Sequence, residues 1–168
     1  MRAAKRERYY RPMGIEIERK FLVDASEWEA SSAGTRIAQG YLSSATGRVV
    51  RVRLQGDDAR LTIKGAAVGL TRSEYEYSIP TEDAREMLES LCERPLIDKT
   101  RYLEAYAGRT WEVDVFHGGN EGLVVAEIEL ENEGAKFELP PWVKKEVSAD
   151  RRYSNSNLAK RPWSTWRE

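Results

Sequence analysis

The feature that most constrains this chain is an alternation of charged and apolar residues that recurs in one short segment after another. In the first segment, residues 14–23, Glu16, Glu18 and Lys20 alternate with residues that are mostly apolar. Five further like-charged pairs have the same spacing: Arg51 with Arg53, Glu74 with Glu76, Lys99 with Arg101, Glu112 with Asp114, and Glu127 with Glu129. Because successive side chains of a strand point to opposite faces, each pair shares one face. The pattern therefore predicts β-strands that have one charged and one apolar face.

Turn residues divide the chain into short segments and predict about eight strands with few helices. The predicted strands are 14–23, 35–43, 47–54, 60–64, 70–79, 97–106, 110–116 and 123–131. One helix is predicted from Thr81, its candidate N-cap, to Leu91, because Ala84, Met87 and Leu88 recur at helical spacing. Beyond Pro140 the chain reads as irregular, with one or two helical turns at 155–160. Short connections favour a mainly β fold, a closed antiparallel eight-stranded β-barrel with a few flanking helices.

Two arrangements could account for the charged strand faces. An antiparallel sheet often has one apolar face on the core and one charged face in water. However, like charges on one face repel, and the repulsion is easier to understand if acids face bases across an enclosed space, or if each set holds a counter-ion. An eight-stranded barrel has room for one small ligand, with its apolar faces turned outward and covered by the helix and other segments.

The enclosed arrangement predicts a particular kind of ligand. Lys and Arg side chains bind phosphate oxygens, whereas clustered carboxylates hold hard cations such as Mg²⁺ or Mn²⁺. A lining with both sets suits a metal-bound polyphosphate, and phosphoryl transfer needs mainly positioning and charge neutralisation from the protein. Interleaved carboxylates would repel the long phosphate backbone of a nucleic acid.

Composition limits the remaining possibilities. The 168 residues favour a single domain, which we place at 14–168, with a disordered basic extension at 1–13. The 27 Lys and Arg nearly balance the 28 Asp and Glu, which argues against nucleic-acid or membrane-surface binding. Cys92 is the only cysteine, so no internal disulfide can form. Without a long apolar run or a signal segment, we expect a cytoplasmic monomer or homodimer that acts on a small molecule.

A series of short motifs resembles one known family. Residues 16–20, Glu-Ile-Glu-Arg-Lys, match the ExExK signature of the CYTH or triphosphate tunnel metalloenzyme superfamily, short bacterial inorganic triphosphatase type. The motifs at 39–42, 51–53, 61–64, 74–76, 99–101, 127–129 and 152–155 follow in the order of that family's short bacterial members. The resemblance implies an eight-stranded antiparallel tunnel that binds a triphosphate and a divalent metal, Mg²⁺ or Mn²⁺. It also implies that the segment 153–160 closes one end of the tunnel.

The resemblance assigns roles to individual side chains. The residues implied to bind phosphate are Lys20, Arg51, Arg53, Lys64, Lys99 and Arg101. The residues implied to hold metal are Glu16, Glu18, Glu127 and Glu129, with Asp114 as an addition. Glu74 and Glu76 would orient the basic residues or assist a second metal. Tyr41 and Lys20 are the catalytic candidates, because a nearby Lys20 cation would favour the Tyr41 phenolate, which could orient or deprotonate the attacking water.

Three functions remain open at this point. The leading hypothesis is metal-dependent hydrolysis of inorganic triphosphate to pyrophosphate and phosphate, because no motif for recognising a base is evident. A class IV adenylate cyclase, or a triphosphatase that acts on thiamine triphosphate or nucleotides, is the enzymatic alternative. A noncatalytic polyphosphate-binding module is the third, although such a module would tolerate loss of the acids, which are complete here.

Overall fold

The computed structural model describes residues 14–166, so the predicted basic extension at 1–13 lies outside the described residues. The fold is mainly β with few helices, as the alternation predicts. Its strands are β1 Glu16–Val23, β2 Thr35–Ala45, β3 Arg48–Gln55, β4 Asp58–Gly65, β5 Thr71–Arg72, β6 Glu74–Ser78, β7 Ile97–Tyr106, β8 Arg109–Phe116, β9 Val124–Glu129 and β10 Val143–Glu146. Its helices are α1 Thr81–Ser90 and α2 Asn155–Lys160, with short 3₁₀ turns at Gly118–Asn120, Arg151–Tyr153 and Trp163–Thr165. Within 14–166, no helix has the length and apolar character that crossing a bilayer requires.

All ten strands belong to one antiparallel sheet, in the order β10-β1-β9-β8-β7-β2-β3-β4-β6, with β5 paired to β1 off this path. The predicted closed barrel of eight strands is therefore not confirmed, because the strand path has two ends and the sheet has ten strands. Two local features account for the difference. The predicted strand 70–79 divides at Ser73, where its pairing changes from β1 to β4, and the segment after Pro141 adds β10 beside β1.

The sheet curls so that distant strands meet across one face. Five strands lie between β1 and β4 in the sheet, yet the Nζ of Lys64 on β4 is 2.8 Å from Oε1 of Glu16 on β1. We call the concave face that carries these two side chains the inner face. The cross-strand register places Lys20 opposite Glu127 and Glu18 opposite Glu129 on this face.

The opposite, outer face is apolar and is covered by other segments. Helix α1 packs Ala84 and Leu88 against Val52 and Ala59 of the sheet. Gly40 permits this close packing, because a Cβ there would lie 2.7 Å from the Cβ of Cys92. Elsewhere Trp28, Phe137 and Trp142 cover a cluster that includes the fully buried Trp111. The apolar residues thus stabilise the fold mainly from outside the curled sheet.

At one end the inner face changes from charged to apolar. The apolar part of this face carries Leu22, Tyr41, Val49, Ile97, Phe116 and Val125. Each of them lies two residues along its strand from a charged or polar side chain of the same face. Tyr153, Leu158 and Ala159 of the C-terminal segment pack against this apolar end. Lys160 Nζ also donates to the Ser44 carbonyl at 3.0 Å. The C-terminal segment therefore covers this end of the inner face, as the resemblance implies.

Helix α1 begins as expected but without the expected cap. Its N-cap is Pro80 rather than Thr81, and no side chain caps it. Glu82 and Asp83 in its first turn instead provide negative charge at the positive end of the helix dipole.

Candidate active site

The inner face gathers nearly all the charged residues that the sequence singles out. Lys20, Arg51, Lys64, Lys99 and Arg101 are buried there, and Arg53 is half-buried. The buried acids among them are Glu16, Glu74, Asp114 and Glu127. Burying a charge is costly unless it is paired and hydrogen-bonded, so the pairing of these groups determines what the site can bind.

Asp114 on β8 is the centre of one group. Its Oδ2 accepts from Lys99 Nζ at 2.5 Å and from Arg101 Nη2 at 2.6 Å, and its Oδ1 accepts from Arg101 Nε at 2.7 Å. Burial alone would raise the pKa of Asp114, but Arg101 and Lys99 outweigh it and lower that pKa. Burial, assisted by repulsion from Arg101 and Arg53, lowers the pKa of Lys99 to about 8 despite Asp114.

Glu127 on β9 joins this group to β1. It accepts from Arg101 Nη2 at 3.0 Å and forms an ion pair with Lys20 Nζ at 2.8 Å. Burial favours neutral Lys20, but Glu127 and Glu18 together raise its pKa above the ordinary lysine value. The pKa of Glu127 is lowered well below normal because Lys20, Lys99 and Arg101 outweigh burial. The side chains of Lys20 and Glu127 are therefore both ionised at neutral pH.

Glu16 is the centre of a second group, formed by β1, β4, β5 and β6. Both of its oxygens accept from Lys64 Nζ, at 2.8 and 2.9 Å, and Arg72 Nε donates to Oε2 at 2.5 Å. Glu74 holds the same lysine at 2.6 Å. Burial opposes ionisation of Glu16, but Lys64 and Arg72 outweigh it and lower the pKa of Glu16.

Glu18 lies between the two groups and is held less tightly. Its Oε1 is 3.9 Å from Lys20 Nζ and 3.8 Å from Arg72 Nη2, distances too long for hydrogen bonds. Burial, together with the negative charges of Glu127 and Glu16, raises the pKa of Glu18. Glu18 is thus a carboxylate whose ionised form a further cation would stabilise.

Arg51 and Arg53 share the inner face of β3, where positive charges outnumber negative ones. Arg51 donates to Thr62 at 3.0 Å and lies 3.6 Å from Glu76, which also accepts from Thr62. Arg53 donates to the Gln39 side chain at 3.2 Å and forms no ion pair with a carboxylate of residues 14–166. Burial, together with repulsion from Arg51 and Arg101, lowers the pKa of Arg53 to about 10. Bound phosphate oxygens would relieve this repulsion.

Tyr41 marks the boundary between the charged inner face and the apolar end. Its hydroxyl accepts from Gln39 Nε2 at 3.3 Å, and its ring belongs to the apolar cluster under the C-terminal segment. Burial raises the pKa of Tyr41, although Arg51, Arg53 and Lys20 act in the opposite direction. The phenol is therefore protonated in this state, because burial outweighs the effect of Lys20, which does favour the phenolate. The catalytic role of Tyr41 stays a prediction.

The acids of β1 and β9 fit a hard divalent cation in kind. Their carboxylate oxygens are the ligands that Mg²⁺ and Mn²⁺ prefer, and a bound cation would offset both the burial and the repulsion that raise the pKa of Glu18. Among residues 14–166 no three acids already converge as a metal site. Glu129 is exposed opposite Glu18, whereas both oxygens of Asp114 accept from cations. The structure thus brings Asp114 together with the basic set, and its role as a metal ligand stays a prediction.

Sequence reasoning assigned no role to Arg72, Gln39 or Thr62, and it noted Glu112 only as a member of a like-charged pair. Arg72 contacts two predicted metal ligands, and Glu112 pairs with Arg101. For Arg72 a signal was present, because it precedes Glu74 and Glu76 at the same two-residue spacing and therefore shares their face. Gln39 and Thr62 are uncharged, so a search for charged pairs could not find them.

Comparison with known proteins agrees with this geometry. The family model described as the CYTH domain matches residues 14–161. An inorganic triphosphatase of Acetivibrio thermocellus is 49% identical over 156 residues, covering 93% of this chain and all of that protein. An inorganic triphosphatase of Nitrosomonas europaea is 39% identical over 148 residues, covering 86% of this chain and 96% of that protein.

A solved structure supports the same assignment. The crystal structure of an inorganic triphosphatase superposes with a TM-score of 0.62 at 36% identity, covering 86% of this chain and 93% of the other. Membership of the family also implies a divalent metal. From its inner-face charges, its family model and its relatives, we conclude that this chain belongs to the CYTH domain family.

Proposed function

We propose that this protein is an inorganic triphosphatase, which hydrolyses tripolyphosphate to pyrophosphate and phosphate with the help of a divalent metal. The observation that carries the proposal is that negative charges crowd together at one place on the inner face and positive charges at another. Burial and the negative charges of Glu127 and Glu16 raise the pKa of Glu18 on β1, whereas burial and neighbouring positive charges lower the pKa of Arg53 on β3. A metal cation beside the acids and a phosphate chain beside the arginines would relieve both at once.

In this proposal the basic side chains bind the phosphate oxygens. Arg51, Arg53 and Arg101 can each offer a planar fork of donors, whereas Lys20, Lys64 and Lys99 act as point charges. Asp114, Glu74 and Glu76 hold members of this set in place, as their contacts with Lys99, Lys64 and Arg51 indicate. This arrangement supplies the positioning and charge neutralisation that phosphoryl transfer requires.

The metal would be Mg²⁺ or Mn²⁺, held by Glu16, Glu18, Glu127 and Glu129. When bound, it would neutralise phosphate charge and help orient substrate and water. Lys20 lies beside this acid set through its 2.8 Å pair with Glu127 and can stabilise negative charge on a phosphoryl oxygen. Tyr41, protonated at the far boundary of the face, is proposed to orient the attacking water as a hydrogen-bonding group.

We also propose that β5 and β6 act as one strand interrupted at Ser73, which would complete a closed tunnel of eight strands around the substrate. Three contacts support this closure. β5 pairs with β1 and β6 pairs with β4, and Glu74 N donates to the Gly14 carbonyl at 3.2 Å. A closed tunnel would exclude water and strengthen the electrostatic interactions inside.

All side chains in the proposal come from one chain, so the site would be complete in a monomer and in each half of a homodimer. A cytoplasmic location is likewise part of the proposal. It is supported by the single cysteine, Cys92, which is buried and free.

One assay separates the candidate functions. Purified protein is given tripolyphosphate, pyrophosphate, ATP or thiamine triphosphate with Mg²⁺, Mn²⁺ or a chelator, and phosphate, pyrophosphate and cyclic AMP are measured. We expect metal-dependent release of phosphate and pyrophosphate from tripolyphosphate in preference to the organic substrates. Cyclic AMP from ATP would identify a cyclase. No product from any substrate would refute enzymatic function.

A double substitution tests the role of the acids. Glu127→Gln with Glu129→Gln should abolish metal-dependent turnover, because amides keep the shape but lose the charge that holds the cation. The matched control is Glu86→Gln with Glu89→Gln, which removes the same charge from the exposed face of α1. Retained turnover in the first variant, with circular dichroism matching the parent, would exclude these acids as metal ligands.

A further inference from the structure

Arg72 on β5 has contacts that the proposed function does not use. It lies opposite Glu16 in the β1–β5 register, and its Nε donates to Glu16 Oε2 at 2.5 Å. Its Nη2 is 3.8 Å from Glu18 Oε1. Both carboxylates are ones to which we assign the metal. Arg72 therefore supplies positive charge at the place where the metal is required.

A guanidinium and a dication interfere with each other when both approach these carboxylates. They compete for the same oxygen lone pairs, and their positive charges repel in a partly buried environment where water screens weakly. When a divalent metal binds Glu16 and Glu18, we expect at least one of the cations now paired with Glu16 to move away, because Lys64 and Arg72 already occupy three of about four acceptor positions of that carboxylate.

Arg72 is better able to move than Lys64, the other partner of Glu16. The Lys64 side chain is 8% exposed and is also held by Glu74 at 2.6 Å. The Arg72 side chain is 27% exposed and extends from a strand of only two residues. No carboxylate other than Glu16 and Glu18 lies within ion-pair distance of Arg72 in residues 14–166. Its guanidinium can reach solvent, where its charge is hydrated.

We propose that Arg72 is a positioning residue that acts as the internal counter-ion of Glu16 and Glu18 in the metal-free protein and is displaced when the divalent metal binds. This inference rests on the proposed function only for the location of the metal. It explains how the buried Glu16 remains ionised, and how the neighbouring, partly exposed Glu18 is held in place, before metal arrives. It also makes the Arg72 charge a competitor that weakens metal binding.

Metal binding without substrate tests this competition. Mn²⁺ is titrated into the parent protein and the variants in the absence of triphosphate, and free Mn²⁺ is followed by its electron paramagnetic resonance signal. Arg72→Gln should lower the Kd for Mn²⁺ by about tenfold or more, because the competing charge is gone. Arg72→Lys keeps the charge and should stay within about threefold of the parent.

Lys144→Gln is the matched charge control. Lys144 is an exposed residue that pairs with Asp24 at 3.0 Å, and its removal changes the net charge equally. It should leave the Kd unchanged. A side chain that merely supported the structure would, when replaced, weaken Mn²⁺ binding. Unchanged or weaker binding by Arg72→Gln would therefore overturn the proposal.

A second measurement uses the parent protein and does not depend on the folding of a variant. The ¹⁵N resonance of Arg72 Nε, assigned by its loss in Arg72→Lys, is followed while diamagnetic Mg²⁺ is added. Displacement predicts that the resonance shifts and that its proton exchanges faster with water. An unchanged, protected resonance at saturating Mg²⁺ would refute displacement. Neither experiment measures turnover, so each can succeed or fail whether or not the protein shows triphosphatase activity. Failure of this inference is therefore distinguished from failure of the proposed function.

Discussion

Replacing Asp114 by Asn should destabilise this protein severely, because one carboxylate neutralises two buried cations. The Lys99 and Arg101 side chains are 0% and 6% exposed, and both donate to Asp114. Asn keeps the shape of the side chain but leaves both charges without this partner. Removing one member of a buried ion pair costs about 3–5 kcal/mol. For a domain of this length each kcal/mol lowers Tm by about 2–4 °C, so the expected loss is about 6–20 °C.

Urea denaturation at pH 7 measures the loss, with Asp98→Asn as the matched control. Asp98 accepts from Arg36 at 2.5 Å, but the two side chains are 43% and 61% exposed. Exposed pairs contribute about 0–1 kcal/mol. If Asp114→Asn lost no more than about 1 kcal/mol beyond Asp98→Asn, the reasoning about buried pairing would be refuted.

The pH dependence of the loss gives a second check. The pKa of Lys99 is lowered to about 8 in the parent, and removing Asp114, whose charge raises it, should lower it further. Between the folded and unfolded pKa values the unfolded chain binds more protons, so the free energy of unfolding rises with pH. The variant enters this range at a lower pH than the parent. Its deficit should therefore be smaller at about pH 8.5 than at about pH 6, and a constant deficit would contradict the argument.

Three further predictions concern activity on tripolyphosphate. Tyr41→Phe should lower kcat far more than it changes KM, and unchanged turnover would remove Tyr41 from the mechanism. In the parent, kcat/KM should fall above a pH of about 8, where Lys99 of the substrate-free enzyme loses its proton. Lys99→Arg should abolish that fall, and an identical pH profile in the variant would exclude Lys99 as its cause. Arg53→Gln should raise KM by about 10- to 150-fold, the equivalent of one charge-assisted hydrogen bond. The exposed control Arg36→Gln should leave KM unchanged. Equal KM values for Arg53→Gln and the parent would show that Arg53 does not bind substrate.

The alternation of residues predicted most of the strands because it is a local property. Strand β7 was predicted at 97–106, the bounds that the structure gives. The strand predicted at 70–79 divides at Ser73, because its two parts pair with different partners. Strand β10 was missed because it has four residues after two prolines and depends on pairing with the distant β1. Such long-range pairing has no local signal.

The charged lining was likewise predictable, whereas its internal partners were not. The spacing of Lys99 and Arg101 shows that they share a face, but only the strand order places Asp114 between them and Glu127 beside Lys20. Tyr41 illustrates the opposite limit. Its sequence neighbours gave no indication of the burial that raises its pKa, since that burial comes from the C-terminal segment.

The register of β1 against β9 makes this protein unequally tolerant of different kinds of genetic change. A substitution on either strand changes one side chain at a time. A one-residue insertion within β9 would instead turn Ala126 and Ile128 inward and direct Glu127 outward, because the side-chain period of a strand is two. Length variation among descendants of this chain should therefore be confined to turns such as the one at Gly118–Asn120, while each strand is inherited at fixed length as one block of charges.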